Sequence, residues 1–229
     1  MASAVSFRGA VALTGQFPAL AGIDLDVAAG EVVVLQGANG AGKTSVLRAC
    51  AGLLPVTDGR AEVLGVDLRR HAPRVRRLVG LLGHAPALYD DLTVAENVRF
   101  AVKAAGAAAD RVDDVLERVG LGGRLRRSSA GRLSAGQRRR VALAVLVARA
   151  PRLWLLDEPH AALDAEGRSL LVALLDDAVR DGTTVVLASH EIAEAAPLAD
   201  RVVTLAGGRV VDSARGERRR VLPGGAHVA

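Results

Sequence analysis

Apolar and polar residues follow the periods of strands and helices along most of the chain. Three short apolar runs, at residues 32–35, 153–156 and 185–188, predict buried strands. Residues 23–27 alternate between apolar and acidic side chains, which predicts a strand with one face in solvent. Further strands are predicted at residues 4–7, 61–64, 78–82, 201–205 and 209–212, and turns at 55–59 and 65–67.

Helices are predicted where a start signal precedes an apolar stripe. Thr93 with Glu96, and Ser134 with Gln137, have the spacing of capping boxes that open two helices, at residues 94–105 and 136–148. Other helices are predicted at residues 110–119, 165–179 and 191–196. Strands and helices alternate outside residues 85–150, so we predict an α/β fold with a mostly parallel sheet and an inserted helical lobe at about 85–150.

The composition favours a folded protein that stays in the cytosol. Half of the 229 residues are hydrophobic, so a sizeable core is available. The apolar runs are far shorter than the ~18–20 residues that cross a bilayer, and the N-terminus lacks the pattern of a signal peptide. The single cysteine, Cys50, is expected to be a small core residue. Residues 216–229 mix charge with Pro and Gly and are expected to form a flexible tail.

The positive charge of the chain does not predict a nucleic-acid partner. The net charge is +5, but nearly all the basic residues are arginines, and Lys43 and Lys103 are the only lysines. The arginines are scattered apart from runs at 138–140 and 215–220, and aromatic residues make up only 2% of the chain. Because base stacking needs aromatic side chains beside the basic ones, we expect no nucleic-acid binding.

A glycine-rich segment between a predicted strand and a predicted helix carries the clearest chemistry. Residues 37–44 read Gly-Ala-Asn-Gly-Ala-Gly-Lys-Thr, which fits G-x-x-x-x-G-K-[ST] in the strand–loop–helix context of a phosphate-binding loop. The glycines let backbone N–H groups surround a phosphate chain at a helix N-terminus. Lys43 can reach the β- and γ-phosphates, and the Thr44 hydroxyl can bind Mg²⁺. A strand-to-helix turn without a ligand is the alternative interpretation.

Two more strand ends are predicted to face the same ligand. The strand at 153–157 ends in Asp157 and Glu158, and the strand at 183–189 is followed by His190. Ligands of parallel sheets bind beyond the carboxyl ends of the strands. We therefore expect Asp157 to hold Mg²⁺, Glu158 to polarise the attacking water, and His190 to contact the γ-phosphate. An Asp-Glu-Pro turn and a structural histidine are the alternatives.

Together these residues resemble the ATP-binding subunits of ABC transporters. The phosphate loop is similar to Walker A, residues 153–158 to Walker B, residues 133–137 to the signature sequence Leu-Ser-Gly-Gly-Gln, residues 161–164 to the D-loop, and His190 to the switch histidine. The resemblance implies a P-loop NTPase fold: an ABC-type ATPase core with a mostly parallel sheet, an antiparallel β subdomain and an inserted helical subdomain. It also implies a single ATP-binding domain over residues 1–215, with ATP and Mg²⁺ as cofactors.

The resemblance also implies partners. In the family, the signature helix contacts the γ-phosphate held by a second ATP-binding subunit, so we expect a homodimer that closes over two ATP molecules. An integral membrane permease is the other expected partner, which would place the chain peripherally on the cytoplasmic side of the membrane. The implied site residues are Gly37, Ala38, Asn39, Gly40, Ala41, Gly42, Lys43, Thr44, Ser45, Ser134, Gly136 and Gln137 for ATP, Thr44 and Asp157 for Mg²⁺, and Glu158, His190 and His84 for catalysis.

Two positions depart from the family pattern. His84 stands where a glutamine is usual on the loop that senses Mg²⁺ and touches the permease, and an imidazole there would make that contact depend on pH. Thr14 stands where an aromatic residue usually stacks on adenine, and Phe17 is the nearby substitute.

Three segments of the chain also resemble one subfamily. Residues 83–84, 92–100 and 133–144 resemble the haem-exporter ATPases of cytochrome c maturation. ABC exporters of drugs, lipids or polymers share much of this pattern. A soluble ABC-type ATPase in iron–sulphur assembly, or one acting on DNA, is a further alternative, although the long coiled coil of DNA-repair members is missing.

Overall fold

The computed structural model describes residues 2–190 and 196–218. Within these described residues, ten strands and six α-helices form two sheets and a helical lobe. In chain order they are β1 (Ser3–Thr14), β2 (Phe17–Ala28), β3 (Val32–Gln36), α1 (Lys43–Cys50), β4 (Val56–Val63), β5 (Val66–Asp67), α2 (Leu68–Val75), β6 (Val79–Leu82), α3 (Val94–Ala104), α4 (Val112–Arg118), α5 (Ala135–Arg149), β7 (Leu153–Asp157), α6 (Ala165–Arg180), β8 (Thr184–Ala188), β9 (Arg201–Ala206) and β10 (Arg209–Arg215).

The larger sheet confirms the predicted parallel core. Its order is β10-β9-β3-β8-β7-β6, and every neighbouring pair is parallel except β10 with β9. β3, β7 and β8 are central strands whose residues are buried on both faces, apart from Gln36 at the end of β3, which is half-buried. Such strands lack polar alternation, which is why the apolar runs in the sequence located them.

A second, four-stranded sheet forms the predicted antiparallel subdomain, with the order β2-β1-β4-β5. In β2, Ile23, Leu25 and Val27 are buried while Asp24 and Asp26 are exposed, as the alternation predicts. The predicted turn at Asp58-Gly59 is wrong, and the turn predicted at residues 65–67 is displaced to Leu64 and Gly65. Asp58 and Gly59 lie inside β4, and Val66 with Asp67 forms β5 against the end of β4.

The larger sheet separates two hydrophobic cores. Alternate residues such as Val33, Leu155 and Val186 pack with α1 and the antiparallel sheet. Their neighbours Val34 and Leu156 pack with α3–α6 on the opposite face. Two faces each covered by apolar side chains give a layered α/β domain in which the strand ends are left free for a ligand.

The helical lobe lies on that second core. Both predicted capping boxes are present: Thr93 caps α3 with Glu96, and Ser134 caps α5 with Gln137. Among the described residues, no helix is both long and apolar enough to cross a membrane. The predicted helix at 191–196 falls mainly on residues 191–195, which lie outside the described part of the chain. Residues 219–229 of the predicted tail also lie outside it. At the start of that tail, the backbone N–H groups of Gly216 and Arg218 donate hydrogen bonds to the carbonyl oxygens of Asp200 and Ala199.

Candidate functional site

The glycine-rich segment forms a tight loop between β3 and α1. Gly37 has φ +143°, and a Cβ built on it would lie 2.3 Å from the carbonyl oxygen of Leu205, so only glycine fits. The loop ends at Gly42, and α1 begins at Lys43. The strand–loop–helix context that the sequence predicts is therefore present, with the N-terminus of α1 at the end of the loop.

Two side chains at the start of α1 lie beside the end of β7. Lys43 is buried, and its Nζ donates hydrogen bonds to the carbonyl oxygens of Gly37 (2.6 Å) and Ala38 (3.2 Å). The Thr44 hydroxyl donates to Oδ2 of Asp157 over 2.9 Å. A hydroxyl and a carboxylate thus meet at the strand edge within reach of one cation, although 113 residues separate them in the chain.

Glu158 and His190 are in contact at the carboxyl ends of β7 and β8. Nδ1 of His190 lies 2.9 Å from Oε1 of Glu158, whose side chain is only 18% exposed. The Glu158 backbone has φ +48°, and its N–H donates to the carbonyl oxygen of Ala188 over 2.9 Å. A left-handed backbone at a residue other than glycine is costly and is typical of functional sites. Here it occurs at the residue whose carboxylate contacts His190.

One cavity of about 440 Å³ brings most of the predicted nucleotide residues together. It is lined by Ala19, Asn39, Gly40, Ala41, Gly42, Lys43, Thr44, Ser45, His84, Asp157, Glu158 and His190. The glycine loop, the Thr44–Asp157 contact, the Glu158–His190 pair and His84 therefore share a single space. Gly37 and Ala38 are joined to it through the amino group of Lys43.

The predicted signature residues lie in a different cavity. Ser134, Gly136 and Gln137 line a space of about 530 Å³ together with Ala162 and Asp164 of the loop before α6. The Ser134 hydroxyl accepts a hydrogen bond from the Gln137 backbone N–H, while Oε1 of Gln137 accepts one from the Ser134 N–H. Within one chain the two predicted halves of the nucleotide site are thus separate.

The two candidates for adenine stacking lie at the β1–β2 hairpin. Thr14 pairs with Phe17 at its tip, and Phe17 is 79% exposed. Ala19, two residues further along β2, lines the nucleotide cavity. The β1–β2 pairing shifts register between Pro18 and Leu20, so regular strand alternation does not fix the direction of Phe17 relative to Ala19.

Sequence reasoning missed Arg139, which it noted only as part of the arginine run at residues 138–140. This residue is only 2% exposed and donates hydrogen bonds to four backbone carbonyl groups. Helical periodicity could have located it, because residues 139, 143 and 146 share one face of α5 and all three are buried.

These features define a P-loop nucleotide-binding α/β protein: a parallel sheet, a glycine loop that leads into a helix, and acidic residues at a neighbouring strand end. Comparison with known proteins gives the family. The model of the ABC transporter family matches residues 20–161, which is more than half of the chain. The chain therefore belongs to the ABC transporter family, as an ATP-binding domain.

Curated relatives of similar identity carry different names. The chain is 40% identical over 214 residues to the Fe(3+) ions import ATP-binding protein FbpC of Streptomyces avermitilis, covering 91% of this chain and 61% of that protein. It is 39% identical over 185 residues to the cytochrome c biogenesis ATP-binding export protein CcmA of Methylococcus capsulatus, and that match covers 80% of this chain and 89% of that protein. The chain thus spans less than two thirds of the length of FbpC.

Solved structures agree with the fold. The dimeric structure of a post-hydrolysis state of the ATP-binding cassette MJ0796, bound to ADP and Pi, superposes with a TM-score of 0.85 at 27% sequence identity. That match covers 94% of this chain and 99% of the other. The predicted ABC-type core, with its antiparallel and helical subdomains, is confirmed.

Proposed function

We propose that this chain is the ATP-hydrolysing subunit of an ABC transporter, that it dimerises over two ATP molecules, and that it drives a separate membrane permease. The observation that carries the proposal is the shared cavity in which the glycine loop faces Asp157, Glu158 and His190. Family membership supports ATP as the nucleotide.

The residues fit a bound Mg²⁺ ion. The Thr44 hydroxyl and the Asp157 carboxylate are hard oxygen donors that already lie 2.9 Å apart, and Mg²⁺ prefers a few such oxygens together with phosphate oxygens and water. The ion would supply positive charge to the phosphate chain. Lys43, at the N-terminus of α1, would bind the β- and γ-phosphates, with the loop N–H groups around them.

Glu158 is the proposed base. Its carboxylate, largely shielded from solvent, would accept a hydrogen bond from the water that attacks the γ-phosphorus and so orient that water for in-line attack. His190 holds one carboxylate oxygen through Nδ1, and the His190 backbone N–H lies 3.4 Å from the other. His190 thereby fixes the direction of the Glu158 carboxylate, and because it lines the same cavity it is also the proposed contact of the γ-phosphate.

The separation of the two cavities supports a dimer. The capped N-terminus of α5, with Ser134, Gly136 and Gln137, is a second anion site that the phosphate loop of the same chain does not share. A second copy facing the first would bring each α5 N-terminus to the γ-phosphate held by the other copy. The similar cassette MJ0796 is described as dimeric.

An exposed aromatic pair, Tyr89 and Phe100, of which Tyr89 follows His84 closely in the chain, supports the permease contact. Tyr89 and Phe100 are 57% and 51% exposed, and their rings meet edge to face with centroids 5.2 Å apart. They line a groove between α3 and α5 together with Leu88. Large exposed aromatic side chains beside a groove are typical of protein interfaces. The permease would hold the chain peripherally on the cytoplasmic side of the membrane and connect to the nucleotide site through the loop that carries His84.

Haem export for cytochrome c maturation is the cargo that we propose to test first. The sequence pattern around His84 and α5 favours it, as does the similarity to CcmA proteins at 39% and 42% identity. Relatives named for iron import and for daunorubicin resistance are 40% and 37% identical, so these cargoes are the competitors. Complementation of a strain that lacks its CcmA should restore c-type cytochromes; failure with a stably expressed, ATPase-active chain would contradict haem export.

The two lysines give a matched test of the proposed ATPase. Lys43→Ala should reduce ATP turnover by about 10²–10³-fold, because one preorganised donor to the transferring phosphate is lost. Lys103→Ala, at an exposed position of α3, should leave turnover unchanged. Phosphate release at saturating MgATP measures both variants. Equal rates in the two variants would contradict the assignment of the site.

A further inference from the structure

Arg139 contacts three loops of the nucleotide site at once. Its Nη1 donates to the carbonyl oxygen of Gly83 over 2.7 Å. Its Nη2 donates to the carbonyl oxygens of Glu158 and, over 3.4 Å, of Asp157. Its Nε donates to the carbonyl oxygen of Ala161, also over 3.4 Å. One buried guanidinium group therefore joins the loop before His84, the end of β7, and the loop that leads to α6.

The planar fork of arginine explains why this residue type is used. Several N–H groups in fixed directions can satisfy carbonyl groups from separate segments, which a lysine ammonium on its flexible stem does less well. Burial lowers the pKa of Arg139, and the charges of Asp157 and Glu158 oppose that shift. The guanidinium remains protonated at neutral pH, so all four contacts are charge-assisted.

The contact with Glu158 falls where the backbone is strained. Glu158 has φ +48°, and both of its backbone polar groups are held: the N–H by Ala188 and the carbonyl oxygen by Arg139. Because the φ and ψ angles of a residue set the direction of its Cα–Cβ bond, these two bonds aim the carboxylate. Loss of one would let the backbone relax and move the carboxylate away from the attacking water.

The neighbouring arginines contact other parts of the molecule. Arg138 binds Oδ1 of Asp90 over 2.6 Å and the carbonyl oxygen of Ala130 over 3.0 Å. Arg140 forms ion pairs with Asp164 and Glu166 on the other side of α5. Both are more exposed than Arg139. Only Arg139, of these three, reaches the backbone of the catalytic glutamate.

We propose that Arg139 is a positioning residue for ATP hydrolysis: it holds the Glu158 backbone in its left-handed conformation and links it to the loop that carries His84 and to the signature helix α5. The inference rests on the proposed function, in which Glu158 orients the attacking water. If α5 moves when the dimer closes, or the His84 loop moves when the permease binds, the Arg139 side chain would move the Glu158 backbone with it.

A kinetic comparison on the full chain tests the proposal. Arg139→Gln should lower kcat at least tenfold, since misplacement of a catalytic group by about 1 Å can cost 10²-fold in rate. The dissociation constant for MgATP should stay within twofold, because Arg139 makes no contact with the phosphate loop in the described part of the chain. Arg138→Gln is the matched control and should retain the full kcat.

A double-mutant cycle separates positioning from general structural support. In a Glu158→Gln background, with residual hydrolysis followed over hours, Arg139→Gln should have no further effect, since the group that it positions is already lost. Independent, multiplicative losses would contradict the proposal. So would an unchanged kcat in Arg139→Gln, or a loss of ATP affinity as large as the loss of kcat.

Two controls keep the result interpretable. If Arg139→Gln lacks the native circular dichroism spectrum, Arg139→Lys replaces it. This variant should also lose kcat while it keeps its ATP affinity; a folded Arg139→Lys with the full rate would contradict the proposal.

Glu158→Gln alone tests the underlying function. If that single change leaves hydrolysis intact, the assignment of Glu158 fails; if it abolishes hydrolysis while Arg139→Gln does not reduce it, only the present inference fails.

Discussion

Gly37 lies where the phosphate loop passes closest to the rest of the protein. Gly37→Ala would bring a Cβ to 2.3 Å from the carbonyl oxygen of Leu205, which forces the backbone to shift and costs about 1–3 kcal/mol of stability. We expect at least tenfold weaker MgATP binding, measured by titration. Gly182→Ala, between α6 and β8, is the control: its φ is +83° but the space around it is open, and it is not among the residues that line the cavity of the phosphate loop, so ATP affinity should be unchanged. Equal affinities in the two variants would contradict the close approach.

Cys50 should be unreactive in the folded protein. It is fully buried in α1, and burial raises the pKa of its thiol to about 12. The reactive thiolate is therefore scarce and shielded at pH 8. A thiol-specific reagent should label the native chain at least 100-fold more slowly than the chain in guanidinium chloride, on the order expected for a group reached only by opening. Rapid labelling without loss of structure would contradict this placement.

At the level of single residues, the sequence predicted which residues lie together better than it predicted their individual contacts. The motif spacing assigned Lys43, Thr44 and Asp157 to one ligand, and the structure brings the Thr44 hydroxyl to 2.9 Å from Asp157. Arg139 was not recognised, because a run of three arginines suggests a solvated surface. The burial of Arg139 depends on which face of α5 meets the sheet. Its hydrogen-bond partners are backbone carbonyl groups, which every residue type has, so the sequence does not identify them.

The capping box of α3 gives a prediction at the level of elements. Thr93→Ala removes the hydroxyl that accepts from the Glu96 N–H and should lower the free energy of unfolding by about 1 kcal/mol. Ser128→Ala is the control, because the Ser128 hydroxyl donates only a long hydrogen bond, 3.5 Å, to the carbonyl oxygen of Arg124. It should change the free energy of unfolding by less than about 0.5 kcal/mol. Urea unfolding with a common m-value measures both. A larger loss for Ser128→Ala would contradict the cap.

The same capping box should make stability depend on pH in the acid range. Hydrogen bonds from the Thr93 hydroxyl and backbone N–H lower the pKa of Glu96 below its usual value. A carboxyl with a lowered folded pKa stabilises the protein above its unfolded pKa, and this stabilisation is lost as the pH falls through the folded pKa. The difference in urea midpoint between the wild type and Glu96→Gln should therefore be present at pH 6 and should decrease as the pH falls below the ordinary carboxyl pKa of 4.5 and through the lowered folded pKa. A constant difference would contradict this account.

Central strands and capped helices were predictable, whereas the antiparallel sheet was predicted only in part. β1 and β2 are each 12 residues long, far beyond the predicted segments, because pairing across register shifts extends them through weakly patterned sequence. Asp58-Gly59 has the composition of a turn but lies inside β4. A Cβ on Gly59 would meet the Gly9 carbonyl oxygen at 2.2 Å, so this glycine permits close contact between strands. Such contacts depend on the partner strand.

At the scale of the whole molecule, the two surfaces that we propose to bind nucleotide belong to separate cavities. The phosphate loop, Asp157 and Glu158 line one, while Ser134 and Gln137 line the other. The family match and the dimeric MJ0796 structure support an arrangement in which two chains combine these surfaces. Local motif spacing predicted both surfaces, but their separation within one chain follows only from the packing of the helical lobe on the sheet.

The most direct test is the mass of a hydrolysis-deficient chain in solution. Glu158→Gln with saturating MgATP should elute in light-scattering chromatography at twice the 23.6 kDa of the chain, and at the single mass with MgADP. The double variant Glu158→Gln/Ser134→Glu should remain monomeric with MgATP as well, because the added carboxylate would repel the γ-phosphate held by the other copy. A Glu158→Gln chain that binds MgATP tightly yet remains single would contradict the proposed ATP-bridged dimer.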